Sequence, residues 1–407
     1  MNSQEPGSWR RRLRLERGVG ALAAGLFVYG FGEELWFRYL PEYLRTLGAS
    51  AFVVGAFGTS KDLIDAAYSY PGGVLSDRLG SRRALLLFGV LTTLGFAVYL
   101  ASPTVVAVFV GLLLVMAWQS LGLPATFSLI GEELRGAGRL VALTVQSVVK
   151  RLPIVLAPPL GGWLIGRYGM RAGMRIGFTV SIVLAIAMLA GLWRAFRRLR
   201  VPGPAPLAAD APKPPRSKVR LDPRLRVLLT ADCLIRLCEG LPEVFLVVWA
   251  IEVAHISPAR FGLLTSVLMA VAILSYLPAA LLAERAEKKP FVVLTYVFFT
   301  LFPVGVVLSR SFAPLVLAYV VGGLREIGEP ARKALILDLA GAADPGRAVG
   351  LYYSIRGFVV AGAAAVGGAL WTIRPALTFE AAAVLGAAGT LWAALFLPRH
   401  GKEETPA

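Results

Sequence analysis

A basic turn occurs twice in this chain, each time between two long apolar segments. The first copy lies in residues 73–83, with the sequence GVLSDRLGSRR, and the second lies in residues 278–289, with the sequence PAALLAERAEKK. When Pro71 is aligned with Pro278, the acidic and basic residues of the two turns coincide without a gap. A turn repeated at matching places in two hydrophobic halves predicts a membrane protein built from two repeats, an arrangement typical of transporters.

The composition agrees with a chain that lies in a bilayer. Of the 407 residues, 57% are hydrophobic and 16% are charged, whereas a soluble protein has about 25% charged residues. The net charge of +17 does not indicate nucleic-acid binding, because the basic residues flank apolar spans and form no surface interleaved with aromatic residues. Cys233 and Cys238 face different directions on one predicted helix, so no disulfide is expected.

Twelve predominantly apolar stretches are each long enough to cross about 30 Å of hydrocarbon as a helix. The predicted spans are 18–40, 50–76, 83–101, 104–129, 140–165, 173–195, 225–253, 259–283, 290–308, 313–338, 347–371 and 376–397. Most of the turns between them are short and contain Gly, Pro, Ser or Asp. The sequence therefore predicts an all-α protein that crosses the membrane twelve times.

The distribution of Lys and Arg residues predicts the orientation. Roughly 26 of them fall in the loops on one side and roughly 7 on the other, and the richer side is expected to be cytoplasmic. We therefore expect a multi-pass protein of the cell (inner or plasma) membrane with both termini in the cytoplasm. The predicted segments are a basic N-terminus at 1–17, a six-helix bundle at 18–198, a Pro-rich linker at 199–224, a second bundle at 225–398 and a tail at 399–407.

The match between the halves extends to later spans. Its aligned pairs include Pro124 with Pro330, Gly161 with Gly367 and Lys150 with Arg356. Two sets of six helices joined by a long linker, together with the repeated turn, resemble the major facilitator superfamily across essentially the whole chain. The resemblance implies two pseudo-symmetric six-helix bundles with twelve transmembrane helices in total. It also implies secondary active transport.

The repeated turn matches the signature of that superfamily. The matching residues are Gly73, Asp77, Arg78, Gly80, Arg82 and Arg83, with Glu284 and Arg285 in the second copy. The resemblance implies a conformational latch, and a carboxylate near a helix terminus or an arginine can stabilise one arrangement by about 1 kcal/mol. The alternative is a basic loop that only sets topology, although arginines alone would satisfy that role without Asp77.

The fifth span carries a second, partial resemblance. Residues 157–162, APPLGG, resemble the Gly-Pro-x-x-Gly-Gly motif of proton-coupled drug antiporters, with Ala157 at the first position. Trp118 and Gln119 stand near the place where that family has an arginine in its fourth helix. The alternative interpretation is that these small residues allow close packing between helices.

Ionisable residues occur inside many of the spans, where each is costly unless it is paired or hydrated. The candidates for the substrate or proton pathway are Glu33, Glu34, Arg38, Lys61, Asp62, Asp65, Lys150, Arg236, Glu239, Glu243, Arg325, Glu326, Glu329 and Arg356. The superfamily resemblance implies that the first, fourth, seventh and tenth helices line a central cavity. The charges fall largely on those helices and on their neighbours at the interface between the halves.

Two roles stay open for these charges. The deeper cations are candidates for substrate contact or for structural ion pairs, and the carboxylates are candidates for proton carriage. Asp232, Arg332 and Lys333 are expected near a membrane edge as gate or snorkelling residues. Trp36, Phe37 and Tyr39 are expected to be aromatic anchors at the interface.

The function predicted first is secondary active transport of a small solute by rocker-switch alternating access, coupled to protons. The partial antiporter motif and the many carboxylates slightly favour efflux of amphipathic or cationic compounds. The alternative is a proton-coupled transporter of an organic or phosphorylated anion, which the basic residues at depth favour. A membrane sensor that keeps the fold without transporting is a second alternative.

Other functional classes lack their sequence signals. The chain has no zinc-protease His pair, no Gly-x-Ser-x-Gly and no nucleotide-binding P-loop, so we expect neither an enzyme nor an ATP-driven pump. Catalytic residues, metal sites and cofactors are not expected. The expected partners are the small-molecule substrate, protons and the lipid bilayer, without nucleic acid, and the protein is expected to be a monomer.

Overall fold

The computed structural model describes residues 24–121, 137–198, 221–283, 287–340 and 345–397, and the regular elements within these ranges are all helices. The chain divides into two compact units. Unit 1 comprises Met1–Leu47 with Ser60–Lys213, and unit 2 comprises Gly48–Thr59 with Pro214–Ala407. The start of the second span therefore packs with unit 2, and the rest of that span packs with unit 1.

The helices before the linker correspond to the first six predicted spans. They are residues 24–34 (α1), Leu40–Thr46 (α2), Ala51–Leu79 (α3), Ser81–Ala101 (α4), Val105–Met116 (α5), Ala137–Tyr168 (α6) and Met170–Arg198 (α7). A 3₁₀ turn at Phe37–Tyr39 leads into α2, so the first span continues past its predicted end. A π-helical turn at Ala117–Leu121 extends α5.

The helices after the linker follow the same order, and three of the spans are interrupted. They are Pro223–Gly240 (α8), Phe245–Val248 (α9), Pro258–Ala283 (α10), Lys288–Leu308 (α11), Phe312–Leu324 (α12), Glu329–Leu339 (α13), Pro345–Val360 (α14), Ala363–Ile373 (α15) and Pro375–Phe396 (α16). A π-helical turn at Trp249–Val253 continues α9. The sequence predicted the seventh, tenth and eleventh spans as single helices, whereas the structure breaks each of them.

Six of the described helices are long and apolar enough to cross a membrane. They are Ser81–Ala101, Met170–Arg197, Pro258–Tyr276, Lys288–Leu308, Arg347–Ile373 and Pro375–Phe396. Large apolar side chains on these helices point outward, and Phe358 is 87% exposed. Exposed apolar surface of this extent suits hydrocarbon and not water. The predicted all-α membrane fold is confirmed.

The helices of the two units have corresponding neighbours. The third span, α4, packs on α5 and α7, which belong to the fourth and sixth spans. The ninth span, α11, packs on α12 and α16, which belong to the tenth and twelfth. In each unit the third helix of the set of six therefore packs on the fourth and the sixth helices of the same set.

The repeat predicted from the sequence also appears in the breaks of the first and seventh spans. Leu35 lies in the first break and Leu241 in the other, an offset of 206 residues. A Cβ atom at Gly161 would lie 1.7 Å from the carbonyl oxygen of Leu35, and one at Gly367 would lie 2.1 Å from that of Leu241. The aligned glycines therefore let two helices approach at equivalent places within each unit.

The aromatic residues of the first break lie in the interior of unit 1. Trp36 is 1% exposed, and its Nε1 donates to Ser181 Oγ at 2.8 Å. The Trp36 ring meets Phe178 at 5.1 Å and Tyr99 at 5.4 Å in edge-to-face contacts. The expectation that Trp36 and Tyr39 anchor the protein at the membrane interface is wrong, because tertiary packing covers both side chains.

We expect Gly161→Ala to destabilise the protein by about 1–3 kcal/mol, because the added methyl group would overlap the backbone of Leu35. Gly166→Ala is the matched control in the same helix, since an added Cβ there meets no atom within 4 Å. Thermal unfolding of the purified variants measures the difference. An equal melting temperature for the two variants would contradict the close helix contact.

Candidate functional site

The charged residues of unit 2 gather where its long spans are interrupted. Pro242 follows Gly240 at the end of α8, and Pro330 stands at the start of α13. Proline lacks the N–H that a continuous helix requires and clashes with the preceding turn, so both positions favour a break. The backbone N–H of Gly328 donates to Thr295 Oγ1 at 2.6 Å, which satisfies one group that the break releases.

The residues at this place are joined by ion pairs and are called the arginine cluster below. Its members are Asp232, Arg236, Glu239, Arg325, Glu329, Arg332, Lys333 and Arg356. They come from α8, from the tenth span on both sides of its break, and from α14. The cluster therefore links the seventh, tenth and eleventh spans within unit 2.

Asp232 is the most deeply buried member, with an exposure of 0%. Its Oδ2 atom accepts hydrogen bonds from Arg332 Nη1 at 2.7 Å, from the Tyr352 hydroxyl at 2.9 Å and from Arg356 Nη1 at 3.1 Å. The sequence placed Asp232 at a membrane edge as a gate or snorkelling residue. Full burial rules out snorkelling, and the three donors make this carboxylate a junction between three spans.

Arg332 binds two carboxylates at once. Its Nε and Nη2 atoms donate to the two oxygens of Glu329 at 2.9 and 2.7 Å, in addition to the bond from Nη1 to Asp232. Only 3% of the Arg332 side chain is exposed. The planar guanidinium matches the two oxygens of a carboxylate, which makes this the strongest geometry in the cluster. Snorkelling is therefore wrong for Arg332 as well.

Arg236 connects this buried pair to the more open part of the cluster. Its Nη1 donates to Glu239 Oε2 at 2.6 Å, and its Nη2 donates to Glu329 Oε2 at 3.4 Å. Glu239 in turn lies 3.5 Å from Arg325 Nη1. The sequence-predicted residues Arg236, Glu239, Arg325 and Glu329 are therefore brought together as a chain of alternating charge.

Aromatic rings cover the faces of the partly exposed arginines. The Arg325 guanidinium lies over Phe299 at 4.8 Å and over Phe302 at 4.7 Å, and Arg356 lies over Tyr353 at 4.6 Å. Such contacts hold the guanidinium plane and leave its edge available to acceptors. The side chains of Arg325 and Arg356 are 14% and 22% exposed, so the edges are accessible in part.

The predicted pathway residues of the first span divide into two types. Glu33 is 4% exposed and accepts from the Tyr29 hydroxyl at 3.4 Å. Glu34 instead accepts from Arg38 Nε at 3.0 Å, in a pair one helical turn apart. The ring of Tyr29 lies 5.2 Å from that of Trp118, so aromatic side chains surround the Tyr29–Glu33 contact.

The charged residues of the second span, Lys61, Asp62 and Asp65, also belong to unit 1. Lys61 Nζ is 3.6 Å from Asp62 Oδ1, and Asp65 accepts a short hydrogen bond from Ser120 in the π-helical turn after α5. This bond joins the second span to the fourth. A π-helical turn is a common local device at functional sites.

The remaining predicted residues lie at other places along the chain or outside the described residues. Gly80 has a φ of 80° between α3 and α4, which explains the glycine in the basic turn. Arg82 lies 5.6 Å from the Phe196 ring, and Arg78 and Arg83 are exposed. Glu243 and Glu326 lie in the breaks of the seventh and tenth spans. Glu284 and Arg285, the side chains of Asp77 and Lys150, and the burial of Gly73 are outside the part that the structure describes.

The sequence did not reveal that Arg332 and Tyr352 contact Asp232 at the centre of the arginine cluster. Asp232 and Arg236 are four residues apart and share a helix face, which gave a signal for local pairing. The contact from Asp232 to Arg332 spans 100 residues, so no local pattern could reveal it.

The Major Facilitator Superfamily model matches residues 22–257 and 233–407. An uncharacterized MFS-type transporter of Methanocaldococcus jannaschii is 21% identical over 391 residues, which cover 91% of this chain and 92% of that protein. A peptide transporter POT mutant in complex with sulfate superposes with a TM-score of 0.72 and 19% identity, over 94% of each chain. A POT family transporter in complex with 5-aminolevulinic acid gives a TM-score of 0.74 and 15% identity, over 94% of this chain and 95% of that one. At these identities the solved structures bear on the fold alone.

We expect Arg332→Gln to destabilise unit 2 by about 3–5 kcal/mol, because it leaves the buried Asp232 and the partly buried Glu329 without their main cation. Lys333→Gln is the matched control, since Lys333 is 54% exposed and lies 3.5 Å from Glu329. Its removal should cost at most about 1 kcal/mol. Thermal unfolding of both purified variants checks the difference. Equal stability of the two would show that Arg332 does not hold the cluster.

Proposed function

We propose that this chain, which belongs to the Major Facilitator Superfamily of transporters, moves a small solute with an anionic group across the membrane. The observation that carries this proposal is the charge balance of the arginine cluster. Five cations, four arginines and one lysine, stand against three carboxylates, a formal excess of two positive charges. Each carboxylate contacts at least one arginine, and Arg325 and Arg356 are partly exposed, as is Glu239. This arrangement favours a negatively charged solute.

Two of the neighbouring structures hold a molecule that carries an acidic group. One of them is a POT transporter in complex with sulfate, which is an inorganic anion. Another is bound to 5-aminolevulinic acid, a small carboxylic acid. For the present chain we propose a carboxylate- or phosphate-bearing solute that contacts the edges of Arg325 and Arg356.

Efflux of cationic compounds, which the sequence slightly favoured, receives less support from this geometry. A cation would need carboxylates that can accept it. In the arginine cluster Glu329, Asp232 and Glu239 already contact arginines at 2.6–2.7 Å. The alternative of an organic or phosphorylated anion is therefore the function that we propose.

We also propose that the transport is coupled to protons and that Glu33 carries the proton. Glu33 is almost completely shielded from water and lies next to a tyrosine hydroxyl. Carboxylates inside transporter bundles serve as proton relays when a conformational change alters their access to water. The adjacent Glu34 contacts Arg38 at 3.0 Å, and its side chain is 12% exposed, so it is less shielded than Glu33.

Paired solutes that differ in one charged group test the anion proposal. Succinate should raise the melting temperature of the purified protein more than succinamide, or glycerol 3-phosphate more than glycerol, because a ligand selective for the folded state stabilises it. Arg325→Gln should weaken this binding about tenfold or more, since a charge-assisted hydrogen bond contributes about 1.5–3 kcal/mol. Arg310→Gln is the control, because Arg310 lies over Trp249 outside the cluster. Stabilisation by neutral or cationic members alone would contradict an anionic substrate.

Glu33→Gln and Glu34→Gln form a matched pair for the proton proposal. In proteoliposomes, Glu33→Gln should abolish accumulation driven by a pH gradient, because glutamine cannot exchange a proton, and it should retain solute exchange at equal pH. Glu34→Gln should retain both activities. Gradient-driven accumulation by Glu33→Gln at the wild-type rate would exclude Glu33 as the carrier.

A further inference from the structure

One carboxylate oxygen of Asp232 accepts hydrogen bonds from three donors, which is more than its lone pairs can satisfy with equally good geometry. Oδ2 accepts from Arg332, Tyr352 and Arg356 at 2.7, 2.9 and 3.1 Å, whereas Oδ1 accepts no hydrogen bond from the described residues. A carboxylate oxygen offers about two lone-pair sites. Three donors therefore compete for Oδ2, and the longest contact, from Arg356, is the most easily replaced.

Arg332 and Arg356 differ in how firmly they are held. All three nitrogens of Arg332 donate to carboxylates, and its side chain is 3% exposed. Arg356 is 22% exposed, and its contact with Asp232 is its only hydrogen bond among the residues that the structure describes. A guanidinium has five N–H donors, so Arg356 retains an edge that can bind two oxygens of one ligand.

We propose that Arg356 exchanges Asp232 for the anionic group of the transported solute, a carboxylate or a phosphate that presents two oxygens to the guanidinium. This inference rests on the proposed function and assigns one residue to solute recognition within it. After the exchange Asp232 keeps its bonds from Arg332 and Tyr352. No buried carboxylate is left without a cation, so the exchange avoids the main cost of breaking an ion pair in the membrane.

The exchange would also change how the eleventh span packs. α14 carries Arg356 and packs on α8 and α13, and it ends at a break at residues 361–362. α15 beyond the break is held by Gly367 against Leu241 and by Ala364 against Gly55. Loss of the contact between Arg356 and Asp232 therefore loosens α14 from α8, while α15 keeps its own contacts.

Binding of inorganic phosphate and sulfate to the full-length protein in phosphatidylcholine nanodiscs tests the exchange, with chloride added to keep the ionic strength equal. Arg356→Gln should weaken phosphate binding at least tenfold and keep the melting temperature close to that of the wild type, because Asp232 retains its bonds from Arg332 and Tyr352. Arg356→Lys keeps the positive charge but cannot bind two oxygens in the bidentate geometry of a guanidinium, so its phosphate affinity should lie between those of the wild type and Arg356→Gln. It also serves as the test if the glutamine variant does not fold.

Two adjacent tyrosines provide a matched pair of variants. If Arg356 had a purely structural role, phosphate binding by the two would not be expected to differ. Tyr352→Phe removes one competing donor from Asp232 Oδ2, so Arg356 should be held more tightly and phosphate should bind about two- to fivefold more weakly. Tyr353→Phe keeps the ring under Arg356 and should bind phosphate like the wild type.

Three results would overturn the exchange. Phosphate binding by Arg356→Gln at the wild-type affinity would exclude Arg356 and leave the anionic substrate intact. A wild-type protein that responds to no anion would remove both proposals. A response that depends on Arg356 but appears only in phosphatidylglycerol nanodiscs would assign the site to a lipid headgroup and not to a transported solute.

Discussion

The cost of placing charge in a low-dielectric interior is the constraint on which the structure of unit 2 depends. Asp232 and Arg332 are almost completely buried, and either one alone would destabilise the fold strongly. The structure meets this cost by joining them at 2.7 Å and by giving Arg332 a second carboxylate, Glu329. Arg356 and Lys333 contact these two carboxylates at 3.1 and 3.5 Å. Arg236 links Glu329 to Glu239, which in turn contacts Arg325. In the function that we propose, the same pairing leaves positive charge for a ligand, so that stability and recognition arise from one network.

The interrupted helices provide the geometry that the network requires. A continuous helix would satisfy its own backbone groups, whereas each break releases some of them and turns the following side chains. Gly328 and Pro330 produce such a break in the tenth span, between Arg325 and Glu329. Those two side chains therefore reach different partners, Glu239 and Arg332, although they are four residues apart. The closely approaching glycines Gly161 and Gly367 set the helix contacts at the equivalent breaks near Leu35 and Leu241.

The sequence predicted the helices better than the site. Apolar length identified the twelve spans because hydrocarbon imposes a length on each helix, and the described helices agree with them to within a few residues at most ends. The breaks were missed, since Pro242 and Pro330 lie in segments that are apolar enough to appear continuous. The central role of Asp232 and Arg332 in the arginine cluster was missed for another reason. Their position along the helix suggested a membrane edge, and their burial follows from contacts with distant spans.

A density map of the full-length protein in lipid nanodiscs with sulfate, compared with one in chloride, tests the central claim most directly. The claim is that an arginine network keeps its buried carboxylates paired and accepts an anion at its exposed edge. The account predicts sulfate density at the guanidinium edge of Arg356, with the bond from Arg332 to Asp232 unchanged. Sulfate density at Arg332 with that bond broken, or identical maps in the two salts, would contradict it.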